Sequence, residues 1–145
     1  MGAALNLQTA IYTALRANAG LTAMLATAPS GGSAVFDHVP QSAAGEATAP
    51  FPYLAIGDTT EAEFDTDDST GREFTVTLHV WSRYLGMAQV KNIMDQVKIV
   101  LHNQVLAVTG ELVVFVYWEF AEVFLDPDGI TRHGVTRFRI NTQGT

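Results

Sequence analysis

The sequence predicts an α+β domain. It reads as one antiparallel β-sheet of about four to five strands, packed on one face by an N-terminal helix and a central amphipathic helix. Three observations predict it. Phe74, Val76, Leu78 and Val80 alternate with Thr75, Thr77, His79 and Trp81, the period of a strand with one buried face. Val90, Ile93, Met94, Val97 and Leu101 recur at helical spacing and make one stripe able to lie on a sheet. Two β-rich segments then follow, joined by Asp126-Pro-Asp-Gly129.

Taken in order, Leu5, Ala10, Ile11, Ala14 and Leu15 suggest a helical stripe over residues 3–18. Asn18-Ala-Gly20 supplies its stop, because glycine accepts the left-handed conformation that ends helices. A short helical turn over 21–26, a Gly/Ser loop over 28–33 and a short strand over 34–37 come next. Residues 38–50 are small and turn-rich, and a loop of that length is expected to be flexible until a partner binds. Tyr53, Leu54, Ala55 and Ile56 form a compact apolar strand, interrupted at Gly57. Residues 58–72 then read as an acidic hairpin. Asp58, Glu61, Glu63, Asp65, Asp67 and Asp68 stand there with no basic residue as far as Gly71, and the tip, residues 65–71, reads as a solvated turn.

The returning strand covers 72–82 and the central helix 87–102, with Lys91 and Asp95 as an i,i+4 pair on its outer side. Thr109-Gly110 turns the chain into a strand over 111–125. Asp126-Pro-Asp-Gly129 has proline second and glycine fourth, a type I turn, and the last strand runs over 130–141. There is no internal repeat, and the whole of 1–145 reads as a single domain.

A chain of 145 residues can bury roughly 68–70% of its unfolded surface. Hydrophobic residues make up 48% and charged ones 16%, the composition of a folded protein with unusually few surface charges. That economy points to contacts with other subunits. The net charge of -7 argues against sequence-independent nucleic-acid binding, which depends on cations that neutralise phosphates. With no cysteine there are no disulfides and no thiolate sites. The first twenty residues lack the basic end and apolar run of a signal peptide, so folding in a cytosol is expected.

Motif by motif, catalysis finds no support. An EF-hand counted from Asp65 has Thr70 at the sixth position and Val76 at the twelfth, where glycine and glutamate are needed. Asp126 and Asp128 belong to a turn, which aspartate favours by bonding to its own backbone. His38, His79, His102 and His133 show no metal-type spacing and read as surface histidines. No nucleophile elbow, Walker loop or dinucleotide fingerprint is present, and no cofactor is expected. Arg132, Arg137 and Arg139 make the final strand basic. They read either as solvent-side charges that protect a strand, or as a surface that meets the acidic hairpin of a neighbouring subunit head-to-tail.

Several fragments, in order, carry a resemblance. They are the N-terminal helix ending in Ala-Gly-Leu, Val35-Phe-Asp37 leading to Val39-Pro-Gln41, and Pro50-Phe-Pro-Tyr53 with Ile56-Gly-Asp58. Leu78-His-Val-Trp-Ser-Arg83 and Asp126-Pro-Asp-Gly129 through Thr131-Arg-His-Gly134 to Arg137-Phe-Arg139 complete the set. Together they resemble the tail-completion family of long-tailed bacteriophages, prophages and gene transfer agents, also described as tail terminators or head–tail joining proteins. The segment 42–48 and the acidic hairpin are longer than usual for it. The resemblance implies an α+β subunit of a hexameric ring in the virion. That ring caps the head-proximal end of the tail tube and docks on the head connector, assembled in the host cytoplasm and without catalytic residues. The acidic hairpin is then expected to line the DNA channel, where a negative wall repels phosphate. A head-closure adaptor, a tail-tube subunit and, from another class, a small enzyme or ligand-binding domain stay open as alternatives.

Overall fold

The computed structural model describes residues 2–39 and 49–144. Helix α1 (Ala3–Ala17) and the single turn α2 (Ala19–Thr22) lead to strand β1 (Val35–Phe36). Strands β2 (Tyr53–Glu63) and β3 (Gly71–Ser82) form a hairpin. Helix α3 (Ala88–Leu101) follows, and β4 (Glu111–Leu125) with β5 (Arg132–Gly144) forms a second hairpin. The five strands make one sheet in the order β1-β2-β3-β5-β4.

The sheet is antiparallel, as the alternation implied, except for β1, which pairs parallel to β2 through Val35 with Leu54 and Phe36 with Ala55. Parallel neighbours of this kind cannot be joined by a two-residue hairpin. Of the loop expected at 38–50, residues 40–48 lie outside the described residues.

Both long helices lie on one face. Phe74, Val76, Leu78 and Val80 of β3 are buried there with Val90, Ile93, Met94, Val97 and Leu101 of α3, as the two periodicities required. Val116, Phe138 and Ile140 extend the same core under β4 and β5. On α1 the buried stripe is Leu7, Ile11 and Leu15, whereas Leu5 is half exposed. The i, i+4, i+8 series places Leu7 on the core side and turns Leu5 away. Helix α3 approaches β5 closely at Gly134. A methyl group there would come within contact distance of Met94 Sδ and 2.9 Å from Val90 Cγ2.

Three boundaries differ from expectation. β2 does not stop at Gly57 but runs to Glu63, with a register shift between Ile56 and Thr59 that absorbs an extra residue. β5 continues to Gly144, three residues past Asn141. The second helical turn is Ala19–Thr22, held by Asn18, whose side chain accepts from Leu21 N. The turn after β4 forms as its sequence required. Gly129 has φ 73° and donates to Asp126 O at 2.9 Å. Lys91 and Asp95 do not pair: the ion pairs among the described residues are Arg72 with Glu61 and Glu111, and Arg137 with Glu119, while His133 stands 3.7 Å from Asp126.

Candidate functional site

The side of the sheet turned away from the helices carries the features that distinguish this surface. Its two lateral edges differ in chemistry. One edge is β2 beyond its short pairing with β1, and it continues into the acidic hairpin. The other is β4, rich in aromatic residues.

At the first edge, Asp58, Glu61, Glu63, Asp65, Asp67 and Asp68 are all exposed. They are not equivalent. Glu61 meets Arg72 Nε at 3.1 Å, and the same guanidinium pairs with Glu111 at the start of β4. Asp65 accepts from Gly71 N at 2.9 Å and closes the turn, Glu63 accepts from Asp65 N at 2.7 Å, and Asp68 accepts from the Thr66 hydroxyl at 3.2 Å. Arg72 lies one residue beyond the acidic run, so the hairpin holds a cation after all. Between Glu63 and Asp65 stands Phe64, 54% exposed at the tip. An apolar ring flanked by carboxylates makes this a protrusion of mixed character.

Near the end of the sheet where β1 sits, the outer face holds a stack absent from the sequence reading. Trp81 lies 4.3 Å from His133 and 5.2 Å from Tyr53, centroid to centroid, in near-parallel planes. His79 Nδ1 and His133 Nε2 are 2.8 Å apart. Asp126 Oδ1, 3.7 Å from His133 Nδ1, favours a proton on that nitrogen. His133 Nε2 then accepts the Nδ1–H of His79. These histidines are half-buried and coupled rather than ordinary surface residues. Burial lowers both from the usual imidazole value. His79 further lowers His133, while Asp58 and Asp126 oppose the shift at His79 and His133 respectively. Tyr53 is raised, chiefly by burial. Pairing Trp81 with His133 across β3 and β5 sets His79 diagonal to His133, within reach of one another.

At the second edge, Phe115 and Tyr117 stack at 4.4 Å, and Arg137 lies over Phe120 at 5.0 Å. Leu112, Val114, Tyr117 and Phe120 are all exposed. The three arginines singled out by sequence do not act together. Arg132 has the opposite strand parity from Arg137 and Arg139, and its Nη1 donates to the Ile130 carbonyl. Arg137 is taken by Glu119 at 3.1 Å. Arg139 has no ion-pair partner among the described residues; its Nε is buried without an acceptor, and its guanidinium lies 5.7 Å from the Phe115 ring. Arg139 borders an open cleft of ≈530 Å³ with His102, Tyr117 and Trp118. Lys98 Nζ sits 4.0 Å over the Trp118 ring. The loop after α3 clamps β4 at this point: Asn103 N donates to Val116 O, and Trp118 N donates to His102 Nδ1.

Among the described residues no group of three or more His, Asp or Glu could hold a metal ion, and no helix is long and apolar enough to cross a membrane. Asp128, brought to about 2 first by the Thr131 hydroxyl and then by the Thr131 and Ile130 amides, is fixed as a turn acceptor. It is not a poised acid.

Comparison with known proteins decides what this surface belongs to. The family model described as "Tail completion protein gp17" matches residues 9–143. The chain belongs to the tail completion protein gp17 family. Tail completion protein gp17 of Bacillus phage SPP1 is 35% identical over 94 residues, which cover 63% of this chain and 69% of that protein. Among solved structures, a chain from the virion of the native gene transfer agent particle matches with a TM-score of 0.83. It covers 99% of this chain and 98% of its own length at 24% identity, a likeness of fold. The structure of bacteriophage SPP1 gp17 matches with a TM-score of 0.56 and 27% identity, over 95% of this chain and 89% of that one. Membership in the tail completion family places the chain among the structural proteins of the virion tail.

Proposed function

We propose that this chain caps the head-proximal end of a tail tube as a hexameric ring and joins the tail to the head connector. The observation that carries the reading is the family match across residues 9–143. The outer surface supports it, because aromatic residues and arginine are the side chains that subunit interfaces collect. The role is structural rather than catalytic. DNA passes through the ring without specific binding, since a net charge of -7 repels phosphate. Carboxylates cannot be buried unpaired without a cost of several kcal/mol. The hairpin therefore lines that channel or meets cations of a neighbouring subunit.

The test is particle assembly without the chain. Its loss is expected to give filled heads and separate tails that rejoin when purified protein is added back. Tagged protein is expected at one end of the tube. Label distributed along the tube would make the chain a tube subunit, and label on tail-less heads would make it a head-closure adaptor.

A further inference from the structure

Resting on the ring reading, we propose that the β4-edge cleft bordered by His102, Tyr117, Trp118 and Arg139 receives the Phe64-tipped acidic hairpin of a second copy of this chain.

Charge complementarity carries the assignment. Arg139 has its Nε buried with no acceptor, beside an open cleft whose wall includes Tyr117 and Trp118. Lys98 adds a second cation over Trp118. On the other side of the molecule, Phe64 projects between Glu63 and Asp65, with Asp67 and Asp68 in the same turn. Glu119 also lines the cleft but is held by Arg137. That leaves Arg139 and the nearby Lys98, neither in an ion pair among the described residues, to meet the carboxylates around the aromatic tip. A hairpin cannot reach its own cleft easily, because β3 and β5 lie between β2 and β4 in the sheet. Three strand spacings, about 14 Å, separate the two edges before the hairpin itself is considered.

Two unlike surfaces on opposite edges make a heterologous contact, the kind that closes into a ring when the rotation per subunit closes. Like-with-like pairing is disfavoured at the first edge, where two acidic hairpins would repel one another. The contact also takes the hairpin out of the open channel and gives its carboxylates a partner. Glu61 stays with Arg72 and remains part of the subunit's own sheet.

Sedimentation velocity on two charge-reversed variants tests this. The hairpin variant carries Glu63→Lys, Asp67→Lys and Asp68→Lys and spares Asp65, which closes the turn. The cleft variant carries Lys98→Glu and Arg139→Glu. Circular dichroism melts establish that each is folded, and the exposed hairpin variant serves even if the half-buried Arg139 does not tolerate change. Wild type is expected to sediment as a ring of 15.6 kDa subunits, and each variant to dissociate at concentrations at least about tenfold higher than wild type. Mixing the two variants restores charge complementarity at both contacts, acidic hairpin in basic cleft and lysine hairpin in glutamate cleft, and the expected product is a ring in which the two variants alternate. Rings that persist unchanged in the hairpin variant overturn the contact while leaving the ring in place. Variants that assemble separately, or a mixture that yields no assembly, also overturn it. A wild-type chain that stays monomeric overturns the ring and the contact together.

Discussion

Gly134→Ala tests the packing of α3 on the sheet at its tightest point. The added methyl would overlap Met94 Sδ and stand 2.9 Å from Val90 Cγ2. The thioether end of Met94 can swing aside, but Val90 is β-branched, fully buried and held in one rotamer on its helix. Overpacking of this kind costs about 1–3 kcal/mol. The loss of glycine's freedom in the unfolded chain stabilises by about 0.4–1 kcal/mol. The net expectation is a loss of about 1.3 kcal/mol, inside the span of about 0 to 2.6 kcal/mol that the two ranges allow. Urea unfolding, at concentrations low enough to keep the chain monomeric, reads it directly. With a slope of about 2 kcal/mol per molar, the midpoint falls by roughly 0.7 M. Repeating the change in a Met94→Ala background is expected to cost less, because one of the two overlaps is gone. A midpoint that rises, or effects that add within about 0.3 kcal/mol, would refute the close approach.

Leu78→Ala in the middle of β3 is expected to lose roughly 2–5 kcal/mol, for Leu78 is fully buried against the α3 stripe; a loss below about 1 kcal/mol would mean the strand register is wrong. Arg72→Met leaves Glu111, whose side chain is 3% exposed, without its cation, and roughly 1–3 kcal/mol of stability should go with it, recovered in part by adding Glu111→Gln. His79 and His133 both have folded values below the ordinary 6.5, so the unfolded chain binds protons more tightly. Their contribution is complete above that value and is lost as the pH falls through it toward the folded values. Thermal melts between pH 7.5 and 5 should show falling stability that flattens in a His79→Gln, His133→Gln double variant; an equal slope in the variant would remove the pair as its cause.

Elements with a strong local period could be read from sequence alone. The α3 stripe and the β3 alternation needed no tertiary information, because each repeats several times within one element. β4 was bounded correctly at Glu111 and Leu125 by a glycine turn before it and Asp-Pro-Asp-Gly after it. The run of β2 through Gly57 to Glu63 was missed for an opposite reason. Carboxylates look like turn residues, yet Glu61 and Glu63 lie in a paired strand because Arg72 and the turn amides satisfy them. No local pattern announces that. The histidine pair was beyond reach altogether, since 54 residues separate its members and only the β3–β5 register joins them. Strand parity did hold the sole clue, for His79, Trp81 and His133 all fall on the outward side. The three arginines were likewise grouped by nearness in sequence. Parity separates Arg132 from the others, and a glutamate on the adjacent strand separates Arg137 from Arg139.

The hydrogen bonds that Asn103 and His102 make to β4 have a consequence for the unassembled chain. An edge strand of fifteen residues with exposed aromatic rings is a template on which stray chains could zip into fibrils. Zipping needs an uninterrupted ladder of free amides and carbonyls. Here the ladder is broken near its midpoint, where Val116 O and Trp118 N are already engaged. What remains on either side is at most half the strand, and the side chains still face outward. Until a neighbouring copy covers it, the edge is thus sticky through its side chains and interrupted in its backbone.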